Sequence, residues 1–326
     1  MARPLRLEHE GALWHITSRG NEQKNIFRSD ADRRMFLALL EEVAERFNWI
    51  VHVYTLMDNH YHLMIETPEK TLSKGMQQLN GPYARKFNKK HKRRGHLFQG
   101  RFHSVLVEKE QHLAELTRYL VLNPVRAGMV ERPEDWKWSS YRAMVGLEAA
   151  PAFLHTDWVL SRFAVDRASA IEKYVEYVDA GAQIERSPWE DLVGQIYLGS
   201  GEWIEKMQAL VDAEPRSEEH PKAQRHFARP TMEKVVEAVA KTFACTKDEV
   251  CTRAMPSARM LAAWLGWQDG LLLLREIRGS FGLRSNGTIS DLIRRCKHEL
   301  TRDPVLQVAA RSCRALLAAS LPRGAR

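Results

Sequence analysis

The sequence predicts an α+β protein with an antiparallel sheet in its N-terminal part and an all-α C-terminal part. Strand-like runs and segments of helical period alternate up to Pro124 in the order β-α-β-β-α-β-α. From about Pro151 onward the pattern is helical only. The 326 residues allow more than one domain. The element order predicts a ferredoxin-like or RNA-recognition-like sheet, with helices on one face.

The first elements are a strand, a helix and a hairpin. The aromatic and β-branched run at 12–19 predicts a strand that ends before a glycine. Apolar residues at helical spacing predict a helix over 29–48, which Ser29 or Asp30 caps. Two further strands, 49–57 and 60–66, flank an Asp-Asn turn, as in a β-hairpin.

Three more elements follow. A basic helix is expected over 72–92, interrupted near Gly81 and Pro82 because proline removes a helical hydrogen bond. A fourth strand is expected over 101–108. A third helix over 110–123 would end at Pro124. The whole chain is divided into a catalytic domain (1–146), a helical connecting region (147–213), a polar, proline-containing linker (214–230), a helix-turn-helix domain (231–310) and a basic tail (311–326).

Composition favours an acidic partner in a reducing compartment. The net charge is +8 and the pI about 9.3, and nucleic acid is the commonest partner of such proteins. None of the four cysteines forms a C-x-x-C pair, so a disulfide framework or zinc knuckle is not expected. No apolar run resembles a signal peptide or a membrane span. We therefore expect a cytoplasmic protein with no membrane partner.

Two histidines stand one residue apart in the third strand. His60 and His62 would project from the same face of the sheet, and Tyr61 from the other. Two neutral imidazoles side by side suit a borderline transition metal. Taken alone, the pattern fits equally a pair of half-buried histidines bonded to backbone or water.

A tyrosine and an asparagine share one face of the third helix. Tyr119 and Asn123 are four residues apart, and Asn123 lies in the last turn before Pro124. Alone, these residues fit a core tyrosine and a helix cap.

Together, the two motifs resemble the single-tyrosine HUH transposases, and among them the REP-associated tyrosine transposases (REP, repetitive extragenic palindrome). The resemblance covers roughly 7–146 and rests on the stretches HITSRGNEQKNIFRSDADRRMFL, MDNHYHLMIE, LFQGRFHSVLVE and RYLVLNPVRAGMVERPEDWKWSSYR. Tyr61 departs mildly from the large hydrophobic residue that is usual between the histidines. The resemblance implies the HUH endonuclease fold.

The resemblance also implies residue roles. His60, His62 and Asn123 would hold one divalent metal, and Tyr119 would be the nucleophile. Tyr119 would attack a phosphorus of single-stranded DNA, at a hairpin or palindrome, to form a 5′-phosphotyrosine that a 3′-OH later resolves. The family is associated with Mg²⁺ or Mn²⁺, whereas the imidazoles favour Mn²⁺ or Zn²⁺ over Mg²⁺.

Basic residues cluster in two places. The stretch 84–102 has no acidic residue, and its cations are expected to follow DNA phosphates while interleaved aromatics stack on bases. The alternative is a solvated helix face whose aromatics point into the core. Candidate DNA-binding residues here and after the first strand are Arg19, Asn21, Lys24, Arg85, Lys86, Lys89, Lys90, Lys92, Arg93, Arg94 and Arg101.

The C-terminal part has the pattern of a helix-turn-helix. A helix over 271–280, a turn at Gly282 and a second helix capped by Ser285 or Asn286 resemble the DNA-binding domain of the bacterial replication initiator protein. The match covers roughly 232–306 and lacks that domain's usual histidine-bearing signature. Arg284, Ser290 and Arg294 are candidates for duplex DNA contact, and a plain helical bundle is the alternative.

Three functional readings remain at this stage. The first is a tyrosine transposase that acts as a single-stranded DNA endonuclease and ligase. The second is a catalytically idle, domesticated DNA-binding regulator. The third, a metal-dependent hydrolase of small phosphates, fits the histidines but not the basic surfaces. A monomer and a homodimer are both open.

Overall fold

The computed structural model describes residues 8–182, 187–194, 196–213, 230–270, 272–283 and 285–319. These form two compact units. Among the described residues, one unit contains those up to Leu192 together with Tyr197–Gly199, and the other contains Val193, Gly194, Ile196 and those from Ser200 onward. The predicted connecting region 147–213 is thus divided between the two units. The predicted linker lies outside the described residues except for Pro230.

The first unit is built on a sheet with strand order β2-β3-β1-β4-β5 among the described residues. Strand β1 pairs antiparallel with both β3 and β4, and β2 with β3 form the predicted hairpin. The short β5 pairs parallel with β4. The strands are β1 (Ala12–Arg19), β2 (Ile50–Leu56), β3 (His60–Thr67), β4 (His103–Val107) and β5 (Tyr197–Leu198).

The helices of this unit agree closely with the predicted ones. They are α1 (Asp30–Arg46), α2 (Leu72–Lys90), α3 (Lys109–Val121), α4 (Asn123–Arg126), α5 (Tyr141–Met144), α6 (Asp157–Leu160) and α7 (Arg167–Ala180). Ser29 caps α1 as expected, since its hydroxyl accepts from the backbone N–H of Asp32.

The α+β class is confirmed, but the expectation that helices cover one face only is wrong. Tyr61 of β3 packs on Phe36 of α1, with ring centroids 4.7 Å apart. On the opposite face, Met64 of β3 shares a buried cluster with Leu116 and Leu120 of α3. Both faces of the central strands are therefore buried, which explains why their sequences lack a clean polar–apolar alternation.

Two further expectations are corrected. The sheet is mixed rather than antiparallel, because β5 pairs in parallel with β4. Strand β5 has only two residues, which is too short for the alternating pattern that predicts a strand. Helix α2 runs unbroken through Pro82. Its buried residues on either side of the proline, Leu79 and Tyr83, anchor the helix to the core.

The second unit is helical, as predicted. Its helices are α8 (Gly201–Ala213), α9 (Met232–Phe243), α10 (Lys247–Cys251), α11 (Pro256–Gln268), α12 (Leu274–Ser280), α13 (Asn286–Leu300) and α14 (Pro304–Ala319). Helix α14 extends into the predicted basic tail, whose residues 320–326 lie outside the described part. In the described ranges, no helix is both long and apolar enough to cross a membrane.

Candidate functional site

The histidine pair lies on the sheet face that α3 covers. His62 is directly opposite Thr55 of β2 and Thr17 of β1, and His60 is opposite Arg19. The rings of His60 and His62 are perpendicular, with centroids 4.9 Å apart. Both rings are partly buried, whereas Tyr61 is fully buried on the other face, so the predicted division of faces is confirmed.

Each histidine uses Nδ1 for a hydrogen bond within the protein. Nδ1 of His60 lies 2.6 Å from Oδ1 of Asn59. Nδ1 of His62 lies 2.9 Å from Nε2 of His15, a residue of β1 that is not among the predicted site residues. These contacts leave Nε2 as the nitrogen of each ring that is available to a ligand.

The environment keeps the imidazoles neutral. Burial, helped by the positive charge of Arg19, lowers the pKa of His60 to about 4. Burial and the neighbouring histidines hold the pKa of His62 well below its ordinary value. Burial, with a further contribution from His103, lowers the pKa of His15 to about 3. Neutral imidazole is the form that binds a metal.

Tyr119 lies on α3, and α3 is tied to the histidine strand through β2. The hydroxyl of Thr55, which is opposite His62, donates to the backbone carbonyl of Leu120 at 2.9 Å. The Tyr119 ring is partly buried, with its centroid 5.7 Å from that of Trp189, in an edge-on contact. Trp189 in turn lies 4.4 Å from His15, centroid to centroid. A continuous series of ring contacts therefore joins Tyr119 to His62.

Arg126 covers the Tyr119 ring. Its guanidinium carbon lies 4.7 Å from the ring centroid, and one of its nitrogens donates to the Tyr119 carbonyl at 3.3 Å. Arg126 is itself exposed.

Asn123 begins α4, directly after the Leu122 turn. Its Nδ2 is buried and has no hydrogen-bond partner among the described residues. A buried amide left unpaired by the protein is suited to a ligand, and rotation of the amide would present Oδ1 instead. The described ranges contain no group of three or more His, Cys, Asp or Glu side chains placed to hold a metal. A metal at the histidines would thus need the Asn123 oxygen, phosphate or water to complete its ligands, and this donor set fits one divalent ion.

Most of the predicted DNA-binding cations of the first unit are exposed. This group comprises Arg19, Lys24, Arg85, Lys86, Lys89, Lys90, Lys92, Arg94 and Arg101, while Asn21 and Arg93 are partly buried. Lys90 donates to the buried carboxylate of Asp32 at 2.7 Å, and Lys24 pairs with Glu22 at 2.5 Å. Two of the interleaved aromatics, Tyr83 and Phe87, are buried in the core. The expectation that aromatic rings of the stretch 84–102 stack on bases is wrong for Phe87, because it is buried. Tyr83, just before that stretch, packs against Phe27 and Phe36.

The two basic stretches form one surface beside His60. The backbone N–H of Asn21 donates to Leu97 O at 2.8 Å, and that of Gln99 donates to Arg19 O at 2.9 Å. Gly20 allows the tight turn after β1, since a Cβ there would lie 1.9 Å from the carbonyl oxygen of Lys24. The two hydrogen bonds hold the loop after α2 next to the strand end that carries Arg19.

The helix-turn-helix is present in the second unit. Ser285 caps α13 by accepting from Gly287 N–H at 3.1 Å, and the turn contains Gly282 with a φ of 62°. Ile289, Ile293 and Cys296 of this helix are buried. Ser290 and Arg294 are exposed on the same helix, and Arg294 pairs with Asp291 at 2.6 Å. Arg284 lies outside the described residues.

His15 and Trp189 are the site residues that sequence reasoning missed. In the sequence, His15 looks like an ordinary buried residue of β1. It lies two residues before Thr17, on the sheet face that carries His60 and His62. Trp189 lies in a 3₁₀ turn after α7, beyond the predicted catalytic domain. The short PWED sequence of that turn carried no recognisable motif.

The chain is similar to proteins described as transposases. Residues 9–122 match the protein family described as "Transposase IS200 like". The chain is similar to a putative REP-associated tyrosine transposase of Haemophilus influenzae, with 26% identity over 134 residues that cover 38% of this chain and 74% of that protein. A solved structure of a REP-associated tyrosine transposase bound to a REP hairpin is similar at 18% identity, with a TM-score of 0.39, over 46% of this chain and 89% of that one.

Proposed function

We propose that the domain of residues 9–122, which matches the IS200-like transposase family, cleaves and rejoins single-stranded DNA through a covalent bond to Tyr119. The phenol oxygen attacks a phosphorus, a P–O bond to the 3′ oxygen breaks, and that oxygen leaves as a 3′-OH. A 3′-OH then attacks the 5′-phosphotyrosine and releases Tyr119, so strands are rejoined without ATP.

One relationship carries this proposal: the helix bearing Tyr119 packs on the sheet face that bears His60 and His62. The Thr55–Leu120 hydrogen bond and the ring contacts through Trp189 and His15 support it. Had the histidines pointed to the other face, the sheet itself would have separated them from Tyr119.

His60 and His62, with Asn123, would hold a divalent metal, Mg²⁺ or Mn²⁺. Such an ion, when bound, offsets charge on the non-bridging phosphate oxygens. The protein groups do the rest. The hydrogen bonds at Nδ1 orient the imidazoles, and Trp189 and Arg126 both contact the Tyr119 ring.

The remaining surfaces suit nucleic acid. The basic surface beside His60 would guide the single strand or hairpin toward the site, through contacts to phosphate rather than to bases. Helix α13 of the second unit would bind duplex DNA through Ser290 and Arg294. A cytoplasmic location stays a prediction from the sequence.

The test is a covalent-adduct assay with labelled single-stranded hairpin DNA and Mn²⁺. Wild-type protein should form a denaturation-resistant adduct. Tyr119→Phe should bind the DNA with unchanged affinity and form none. Tyr177→Phe is the matched control, because Tyr177 is also partly buried beneath an arginine, Arg118, 4.1 Å from its ring centroid.

Two outcomes would contradict the proposal. An adduct with Tyr119→Phe at wild-type yield would show that another group is the nucleophile. DNA binding without an adduct in the wild-type protein, under all divalent ions tried, would favour the idle regulator.

A further inference from the structure

A buried histidine outside the HUH motif contacts one of the two motif histidines. His15 is 3% exposed, and its Nε2 lies 2.9 Å from Nδ1 of His62. The two rings are stacked, with centroids 5.2 Å apart and planes 22° from parallel. At this burial, water does not compete for the hydrogen bond.

Neighbouring groups hold His15 in this position. The residue opposite His62 on β1 is Thr17, so His15 is the diagonal neighbour on the same face. The Trp189 ring also packs against His15, with centroids 4.4 Å apart. His15 thus contacts both His62 and Trp189.

The hydrogen bond decides which nitrogen of His62 has a free lone pair. A neutral imidazole carries one N–H. If Nδ1 of His62 donates to His15, then Nε2 of His62 has a lone pair for a metal. If His15 donates instead, Nε2 of His62 is protonated and cannot be a ligand.

For His60, the neighbouring Asn59 determines which ring nitrogen carries the proton. The amide nitrogen of Asn59 donates to Gln23 O at 3.1 Å, which leaves Oδ1 facing His60. An amide oxygen only accepts, so His60 must donate from Nδ1 and present Nε2. A matched pair of Nε2 ligands requires the same proton position on His62.

We propose that His15 is a positioning residue that accepts the Nδ1–H of His62 and so keeps Nε2 of His62 available to the metal. This inference rests on the proposed metal role of His60 and His62. Partners of this kind orient a ligand and raise its basicity. His15 itself then carries its proton on Nδ1.

The first experiment measures Mn²⁺ affinity of the full chain without DNA, by electron paramagnetic resonance of free Mn²⁺. Replacing His15 with phenylalanine should weaken binding by about 10- to 100-fold, as is typical for loss of such a partner. His15→Gln retains an amide oxygen that can accept, and should recover most of the affinity. His52→Phe is the matched control: His52 is a buried histidine of β2 that bonds to Glu66, and its loss should leave Mn²⁺ affinity unchanged.

The second experiment observes the proton directly. Long-range ¹H–¹⁵N spectra of ¹⁵N-histidine protein distinguish the two tautomers, and His62 should carry its proton on Nδ1 in the metal-free wild type. A proton on Nε2 would overturn the inference, as would wild-type Mn²⁺ affinity in His15→Phe. This spectrum needs no variant, so it decides the matter even if His15→Phe fails to fold.

The outcomes also separate this inference from the proposed function. If His60→Ala and His62→Ala lose Mn²⁺ while His15→Phe keeps it, only the positioning role fails. If His60→Ala and His62→Ala bind Mn²⁺ as the wild type does, the proposed metal site itself fails.

Discussion

The side-chain hydroxyl of Thr55 donates to the backbone carbonyl of Leu120 at 2.9 Å, and both residues are buried. Thr55 is opposite His62, and Leu120 follows Tyr119. One hydrogen bond therefore sets the separation between the histidine strand and the tyrosine helix. Its loss should disturb the reaction geometry more than it disturbs the fold.

Thr55→Val tests this link. Valine preserves the shape but leaves the Leu120 carbonyl without this donor, which should lower the free energy of unfolding by about 1–3 kcal/mol. Misalignment of Tyr119 should slow single-turnover adduct formation by about tenfold or more. Thr67→Val is the control, because its hydroxyl accepts from Trp14 on the opposite face. Thr67→Val should lower the free energy of unfolding by a similar amount and leave the rate of adduct formation unchanged. Equal slowing of adduct formation in both variants would contradict the role of the Thr55–Leu120 hydrogen bond.

Asp32 should make stability depend on acid pH. Burial raises the pKa of this carboxyl, but hydrogen bonds from Lys90, His91 and the Arg28 backbone outweigh burial and lower it to about 2. At a pH between 3.8, the ordinary pKa, and about 2, the pKa in the folded protein, the unfolded chain binds more protons than the folded one. The stabilisation by ionised Asp32 is therefore complete above pH 3.8 and is lost as the pH falls to about 2.

The measurement is denaturant unfolding of Asp32→Asn against wild type over pH. The variant should be less stable by roughly 2 kcal/mol at pH 7, since one pKa unit corresponds to about 1.4 kcal/mol. That difference should shrink toward zero as pH falls to about 2. A difference that does not change with pH would show that the carboxylate charge is not what stabilises the fold.

Two lysines of α2 should behave differently although both were predicted to bind DNA. Lys86 is exposed, whereas Lys90 is bonded to Asp32. Lys86→Ala should weaken single-stranded DNA binding and reduce its salt dependence by about one charge. Lys90→Ala should mainly lower stability. Titrations at several salt concentrations, with thermal unfolding in parallel, check both; equal loss of DNA affinity would contradict the distinction.

Local pattern was enough to predict the elements and the face that carries the histidines. Helix bounds followed from apolar spacing and the Ser29 cap, and the shared face of His60 and His62 followed from the two-residue period of a strand. Tyr61 on the opposite face is a direct consequence. These features depend on residues close together in the chain.

The missing parts depend on distant contacts. His15 and His62 are 47 positions apart, and no local period brings them together. Trp189 reaches Tyr119 from a turn 70 positions downstream in the sequence, and β5 is too short to predict. The prediction for the basic helix α2 failed for a different reason. Tyr83 and Phe87 have the spacing of a buried helix face, but the surrounding cations favoured a DNA-binding interpretation.

The second unit should contribute duplex binding alone. Ser290 and Arg294 are exposed on α13, and contacts to base edges there would be worth about 1–3 kcal/mol each. The double variant Ser290→Ala, Arg294→Ala in the full chain should lose duplex affinity and keep the adduct with a single-stranded hairpin. Val305→Ala, an exposed position on α14, is a surface control. Unchanged duplex binding in the double variant would remove α13 from DNA recognition.

Trp189 should influence the rate at which Tyr119 forms the adduct. Its ring meets Tyr119 edge-on and supports His15, and it comes from a turn that the Ser187–Glu190 capping box stabilises. Trp189→Ala removes the surface against which Tyr119 rests, so single-turnover adduct formation should slow by about tenfold or more. Trp189→Phe keeps an aromatic edge and should recover most of the rate. Affinity for hairpin DNA should stay constant in both, since the basic surface is untouched. Equal rates for alanine and wild type would mean that Tyr119 is held by Arg126 and α3 alone.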